Sequence, residues 1–209
     1  MKNRINLHEL LGVMVGDGCV RYYPEKRVYT IEITGNADDE KDYFEKISNF
    51  LQKKFNKTPR IYIKHLSNGK ALKLALNGKA ICEYFMDMGI TKAKTYTATV
   101  PSCIQNWQQA KDFLRGLFEA DGSLYFSKSK QIPHPNYPRL EIKTVSPDLA
   151  RGVYKILSKN GFNVQFRYDG ITNRIYLSGE KMLYKWMREI GFSSEKNQTK
   201  YLLWKRLVC

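Results

Sequence analysis

Cysteine and histidine are scarce in this chain, and what there is of them is scattered. The four cysteines, Cys19, Cys82, Cys103 and Cys209, lie far apart, with neither disulfide-framework nor zinc spacing. They read as the reduced thiols of an intracellular protein. The three histidines, His8, His65 and His134, show no metal-ligand spacing either. That argues against hydrolases built on histidine and zinc but leaves carboxylate–metal chemistry open. Long apolar runs are missing too: no stretch approaches the roughly 20 residues of a membrane span. The basic start, Met1-Lys2-Asn3-Arg4, leads into a segment interrupted by Asn6, His8 and Glu9, which is not a secretory signal. Acidic residues are the remaining deficit. Asp and Glu total 20 against 35 Lys and Arg, a formal net charge of +15 over 209 residues. Such an excess points to a polyanionic partner, nucleic acid first and an anionic membrane surface second. With 43% hydrophobic residues the chain has enough apolar material for a folded core.

What is present comes twice. Residues 6–17 read as a helix, with Leu7, Leu10, Leu11, Met14 and Val15 at helical spacing. Strands follow at 19–23 and 28–34; in the second, Tyr29, Ile31 and Ile33 alternate with Thr30, Glu32 and Thr34. Asp38 or Asp39 can cap a helix running to Phe55, with Tyr43, Phe44, Ile47, Phe50 and Leu51 on its apolar side. Strands at 60–65 and 71–76 flank a Ser67-Asn68-Gly69 turn, and a short helix from Lys79 to Met88 ends at Gly89. The order then recurs: a helix over 107–121, strands at 123–127 and 139–145, and a helix opened by Pro147 and Asp148 and ended near Gly161. Strands at 163–168 and 174–178 follow around Asp169-Gly170, and a helix from Glu180 to Ile190 ends at Gly191. Glu32-Ile33 parallels Glu141-Ile142, and Met88-Gly89-Ile90 parallels Ile190-Gly191-Phe192. The expected class is therefore α+β, two pseudo-symmetric αββαββα halves over 1–97 and 107–209, joined by a linker at 98–106 that contains Pro101. The Pro-rich stretch 131–138 lengthens one hairpin tip. Such duplication suits a partner with two-strand symmetry, as duplex DNA has.

Each half opens with the same kind of helix. The first reads Leu10-Leu11-Gly12-Val13-Met14-Val15-Gly16-Asp17-Gly18 and the second Leu114-Arg115-Gly116-Leu117-Phe118-Glu119-Ala120-Asp121-Gly122. Gly12 with Gly16, and Gly116 with Ala120, put small residues four apart on one face, where two backbones can approach. If these helices pack together, Asp17 and Asp121 meet at their ends. Two such carboxylates repel unless a divalent cation lies between them, and a helix C-terminus favours a cation over an anion. A site of that kind fits phosphodiester hydrolysis. A single Gly-Asp-Gly is also common turn chemistry; two in register are not explained that way.

The two nonapeptides resemble the signature of the LAGLIDADG homing endonucleases, and the repeat order resembles that family's fold over nearly the whole chain. The resemblance implies a monomer with its signature helices at the interface and two antiparallel, saddle-shaped sheets straddling the DNA major groove. It implies metal carboxylates at Asp17 and Asp121, joined by the carbonyls of Gly16 and Ala120. It further implies magnesium, with Mn²⁺ or Ca²⁺ able to substitute in binding, and a central cut in both strands that leaves short 3′ overhangs. After each final helix comes a basic stretch in which Lys94 falls on Lys196; the resemblance gives both a role beside the nucleophile or the phosphate. One departure stands out. Many relatives end the second strand of each half with Gln or Lys near the attacking water, where this chain has Gly35-Asn36 and Thr144-Val145. Asn36 can partly substitute through its amide and Val145 cannot, so an asymmetric site that cuts slowly, or nicks one strand first, is the expectation.

The strands are expected to read DNA, since a β-ribbon can enter the major groove. Candidates in the first half are Arg21, Tyr23, Lys26, Arg27, Thr30, Glu32, Arg60, Tyr62, Lys64 and Lys73; in the second, Tyr125, Ser127, Lys128, Lys130, Arg139, Glu141, Lys143, Arg167, Arg174 and Tyr176. Arg suits guanine, Glu accepts from cytosine, and Lys at hairpin tips suits phosphate. The expected partner is duplex DNA with a long, pseudo-palindromic or asymmetric site. Two alternatives share the fold: a maturase that binds intron RNA, and a DNA-binding protein that has lost cleavage. No segment suggests an appended helix-turn-helix or a protein-splicing domain, so a free-standing product of an intron or mobile element is the simplest expectation.

Overall fold

The computed structural model describes residues 5–67, 69–92, 94–129 and 132–208. Lys130, Asn68 of the proposed turn, the basic start 1–4 and Cys209 lie outside the described residues. The first half runs α1 (Leu7–Val15), β1 (Gly18–Tyr23), β2 (Val28–Asn36), α2 (Lys41–Phe55), β3 (Arg60–Leu66), β4 (Gly69–Asn77) and α3 (Lys79–Asp87). The second runs α4 (Trp107–Asp121), β5 (Gly122–Ser129), β6 (Ile132–Thr144), α5 (Pro147–Lys159), β7 (Val164–Tyr168), β8 (Asn173–Ser178), α6 (Glu180–Glu189) and α7 (Glu195–Val208). The strands form two four-stranded antiparallel sheets, ordered β1-β2-β4-β3 and β5-β6-β8-β7.

The repeat read from sequence is kept down to register. Gly18 pairs with Ile33 in one sheet and Gly122 with Ile142 in the other. Alternation then sends Ile31, Ile33, Leu74 and Leu76, and in the second sheet Leu140, Ile142, Ile175 and Leu177, into the core. Helices cover those apolar faces: α1, α2 and α3 on the first sheet, α4, α5 and α6 on the second. Local chemistry starts α1, α4 and α5 where the sequence says, but neither Asp38 nor Asp39 caps α2: Glu40 stands at its N-cap without a side-chain cap bond, and Asp39 meets Lys196 instead. Asn6 Oδ1 accepts from Glu9 N at 3.0 Å to cap α1. Asn106 and Gln109 form a reciprocal capping box on α4, and Ser146 with Pro147 opens α5.

Three further details differ from the sequence expectation. α1 ends at Val15, so Asp17 stands in the turn beyond the helix, whereas Asp121 is the last residue of α4. The Pro-rich stretch belongs to β6, whose described part reaches back to Ile132; its partner β8 extends only as far as Arg139, so Pro138 lies beyond that ladder and leaves no bond missing there. The third is α7, which the αββαββα pattern does not contain. Among the described side chains of α7, Trp204 alone of the large apolar ones is fully buried: it stacks on Phe126, and its Nε1 donates to Asn136 O at 2.7 Å. Leu202, Leu203 and Leu207 are exposed, which erases the periodicity that would have announced the helix.

The halves are braced reciprocally. The segment after α3 lies on the second half, where Ser146 Oγ donates to Ala98 O at 2.6 Å and Gly152 faces Val100. The segment after α6 lies on the first half, where Lys46 Nζ donates to Ser193 O at 2.8 Å and Glu195 N to Asp42 Oδ2 at 3.1 Å.

Candidate active site

The interface is built on glycine. A Cβ on Gly12 would stand 2.1 Å from Phe113 O, and one on Gly116 only 1.9 Å from Glu9 O. α1 and α4 therefore touch backbone to backbone, and any side chain at these two positions would part them. A buried polar cluster fixes the pair toward their N-terminal ends. Arg115 Nε meets the fully buried Glu9 carboxylate at 3.0 Å, its other nitrogens meet Asp112 at 2.5 Å and Ile190 O at 2.9 Å, and Tyr43 Oη donates to Glu9 at 3.1 Å. Burial pushes the Tyr43 hydroxyl well above its usual pKa, with Glu9 reinforcing the effect. Sequence reading did not single out this cluster, because its members lie up to 106 residues apart.

At the other end the helices deliver Asp17 and Asp121 to each other. A Cβ on Gly16 would lie 2.5 Å from Ala120 Cβ and 3.0 Å from Asp121 Oδ2. Burial pushes Asp17 up to about 7, helped by repulsion from Asp121 and Glu40. Burial likewise pushes Asp121 up to about 6, with Lys94 opposing. Both carboxylates thus stand in want of a cation. Lys94 supplies one: its Nζ donates to Val15 O at 2.5 Å and Gly16 O at 2.6 Å, the carbonyls freed where α1 stops. Burial lowers the Lys94 pKa, and the two aspartates counteract it. A cleft of about 250 Å³ opens beside Asp121, lined by Lys94, Thr95, Lys143, Thr144 and Val145 among others.

Lys196 is held differently. Its Nζ meets Asp39 at 3.2 Å and Glu40 at 3.1 Å, both on the other half. Glu40, which the sequence reading passed over, also accepts from Asn36 N at 2.8 Å and lies against Gly35, where a Cβ would be 2.4 Å from its Oε2. Gly35 thus leaves room for a carboxylate next to Asp17. Asn36 Oδ1 accepts from Asp38 N at 2.8 Å in a tight turn. Among the described residues no group of three or more His, Cys, Asp and Glu is gathered as a metal cluster. The oxygens gathered at the helix ends are the Asp17 and Asp121 carboxylates and the Gly16 carbonyl, the last accepting from Lys94. That set fits a hard divalent ion that keeps part of its water shell and shares oxygens with a substrate.

The residues singled out on the strands fall on one face of each sheet. Register places Arg21, Tyr23, Thr30, Glu32, Lys73, Arg60, Tyr62 and Lys64 together, opposite the core. It does the same for Tyr125, Ser127, Arg139, Glu141, Lys143, Arg174, Tyr176 and Arg167. Lys26 and Arg27 sit in the β1–β2 turn and Lys128 at the bulge of β5, all three exposed. The two glutamates are buried beneath basic partners. Glu32 pairs with Arg21 at 3.3 Å and with Lys73, and Glu141 with Arg174 at 3.5 Å and Lys143 at 3.7 Å. Lys73 and Arg174 occupy equivalent places, so the Glu32–Lys73 pair is repeated as Glu141–Arg174 across the pseudo-twofold, whereas Arg21 and Lys143 have no such counterparts. No helix among the described residues is long and apolar enough to cross a membrane.

Comparison with known proteins agrees with this architecture. A LAGLIDADG-like domain is matched over residues 108–201 and a WhiA LAGLIDADG-like domain over 8–73. No curated protein matches the chain. Among solved structures, mesophilic variants of the homing endonuclease I-DmoI share the fold at 20% identity with a TM-score of 0.62, covering 88% of this chain and 93% of theirs. I-DmoI in complex with DNA and Mn gives 21% and 0.60, over 88% and 94%. Full-length WhiA from Thermatoga maritima gives 18% and 0.59, over 95% of this chain and 59% of that one. The chain thus carries two LAGLIDADG-like domains, one in each half, in the two-domain fold around paired motif helices.

Proposed function

We propose that the protein is a site-specific double-strand DNA endonuclease acting as a monomer. It would hydrolyse one phosphodiester on each strand at the centre of a long site and leave short 3′ overhangs. The observation that carries this reading is the meeting of two partly buried carboxylates, one from each half, at the ends of backbone-packed helices. Each half adds a polar sheet face rich in Arg and Lys, which suits duplex DNA. I-DmoI, of the same fold, has been solved with DNA and Mn, with DNA and Ca, and, as a variant, with its target DNA and Mg.

In this reading Asp17 and Asp121 would hold divalent ions, joined by the Ala120 carbonyl and by the Gly16 carbonyl once Lys94 turns from it to phosphate. Mg²⁺ is the expected ion, with Mn²⁺ or Ca²⁺ able to take its place in binding. When bound, the ions neutralise the scissile phosphates, favour ionisation of the attacking water and stabilise the leaving oxygen. The chain's own residues do the rest. Lys94 and Lys196 bring positive charge to the phosphates from opposite sides of the interface, and the amide of Asn36 orients water at the end of β2. Arg and Lys on the sheet faces bind the grooves and phosphates, with Glu32 and Glu141 holding them in place.

A DNA-binding protein without cleavage is the second reading. It is favoured by Gly35, which offers no side chain, and Val145, which offers no hydrogen bond, where an attacking water would be held. One experiment separates the two: incubation of a randomised duplex library with purified protein and Mg²⁺, followed by sequencing of bound and of cut molecules. The endonuclease reading expects one long site, enriched in both pools and cut at its centre. A site enriched among bound molecules and absent among cut ones would hand the assignment to the second reading.

A further inference from the structure

Glu119 lies on α4 two residues before Asp121, and its side chain is buried away from any nucleic-acid face. A buried carboxylate is costly unless its oxygens are satisfied, and here four donors satisfy them. Oε1 accepts from Ser193 N at 2.6 Å and Ser194 N at 3.0 Å. Oε2 accepts from Ser194 Oγ at 2.6 Å and Asn197 Nδ2 at 2.7 Å. All four donors belong to the first turn of α7 and the residues leading into it, so one carboxylate fixes where α7 begins. Ser194 Oγ in turn accepts from Asn197 N at 3.3 Å and caps the helix.

The segment so anchored carries Lys196 across the interface to Asp39 and Glu40 of the other half. Lys94 and Lys196 both act electrostatically on Asp17, against Glu40, whereas of the two lysines Lys94 alone acts on Asp121. The two lysines are therefore held by different devices. Lys94 is fixed directly by the Val15 and Gly16 carbonyls. The residue at the place of Glu119 in the first half is Val15, which has no polar side chain to anchor anything. A lysine side chain has four rotatable bonds, so where its ammonium stands depends on how firmly its backbone is held.

We infer that Glu119 is a positioning residue for Lys196, and that its support serves hydrolysis of one DNA strand and not the other. This rests on the endonuclease reading above, with Lys196 beside one scissile phosphate. The test is single-turnover cleavage of the selected duplex, with the two strands carrying different fluorophores, Mg²⁺ present and protein in excess. Duplex affinity is measured alongside in Ca²⁺. The proteins compared are wild type, K196M, E119A, E119Q and the double variant E119A/K196M.

K196M is expected to slow one strand by roughly tenfold or more, and E119A to slow the same strand while leaving the other within about twofold. The double variant is expected to be no slower than K196M alone, because both substitutions remove one contribution. E119Q keeps an acceptor for the Ser193 and Ser194 amides but loses the one for Asn197 Nδ2, and is expected to slow the same strand less than E119A does; it carries the test if E119A does not fold. Equal slowing of both strands by E119A or E119Q, or additive losses in the double variant, would assign Glu119 a merely structural role. If K196M leaves both strands at the wild-type rate while wild type cuts, the role of Lys196 fails and the inference with it. If wild type binds the site and cuts neither strand, it is the endonuclease reading that falls.

Discussion

Asp17 and Asp121 are raised from 3.8 to about 7 and about 6, and this has a consequence for stability that needs no DNA to observe. A carboxylate whose folded pKa lies above its unfolded one binds more protons in the native state. Between the two values, stability falls as pH rises. The metal-free protein is therefore expected to lose thermal stability from about pH 4 to about pH 7 on account of this pair, with the loss complete above that window. Divalent metal should restore the melting temperature at pH 8 and do little at pH 5, because it binds the ionised pair. Melting curves of wild type against a D17N/D121N protein, with and without Ca²⁺, check this. A gap between the two proteins that stays constant with pH would contradict the assignment. At this scale the two aspartates were legible because each ends a repeated nonapeptide. Glu40 and Glu119 were not. Glu40 closes the Asp38-Asp39-Glu40 run, which reads as helix-cap chemistry, and Glu119 finds its partners 74 to 78 residues away.

Among the elements, α1 and α4 determine whether the site exists, and their contact is made by Gly12 and Gly116. G116A places a methyl carbon on the Glu9 carbonyl, and no flexible side chain is there to yield. Overpacking of this kind costs about 1–3 kcal/mol or more, which in a protein of this size corresponds to a drop of roughly 2–10 °C in Tm. Urea titration or calorimetry measures it. Because the helix ends move apart, cleavage of both strands should fall together, in contrast to the one-strand effect expected of E119A. A G116A protein of wild-type stability would mean that the helices do not approach as closely as described here. The small-residue spacing made this contact readable in advance, and the sheets followed from alternation and turn chemistry. α7 did not, because most of its apolar residues are exposed and its burial rests on Trp204 meeting Phe126, a contact 78 residues distant.

For the molecule as a whole, the charge of +15 and the basic face on each sheet predict binding dominated by phosphate neutralisation. With about six to ten phosphates engaged, affinity for the selected duplex should fall by on the order of 10³ to 10⁵ between 50 and 200 mM salt. Fluorescence anisotropy across a salt series in Ca²⁺ measures the slope, and a nearly flat dependence would remove the sheet faces as the binding surface. The duplicated architecture was readable because both copies keep their motif and order within one chain. The asymmetry between Lys94 and Lys196 was not, because the two fall on each other in register and differ only in what they reach across the interface.

The joint action of Asp17 and Asp121 as one metal-dependent cutting centre for both strands is the proposal on which the rest depends. Its most direct test is a supercoiled plasmid carrying the selected site, incubated with Mg²⁺ or with chelator, using wild type, D17N and D121N. Linear plasmid is expected from wild type with Mg²⁺ only, with neither single variant able to linearise it while both still bind the site. Linear product from either variant at the wild-type rate, or from wild type in chelator, would contradict it.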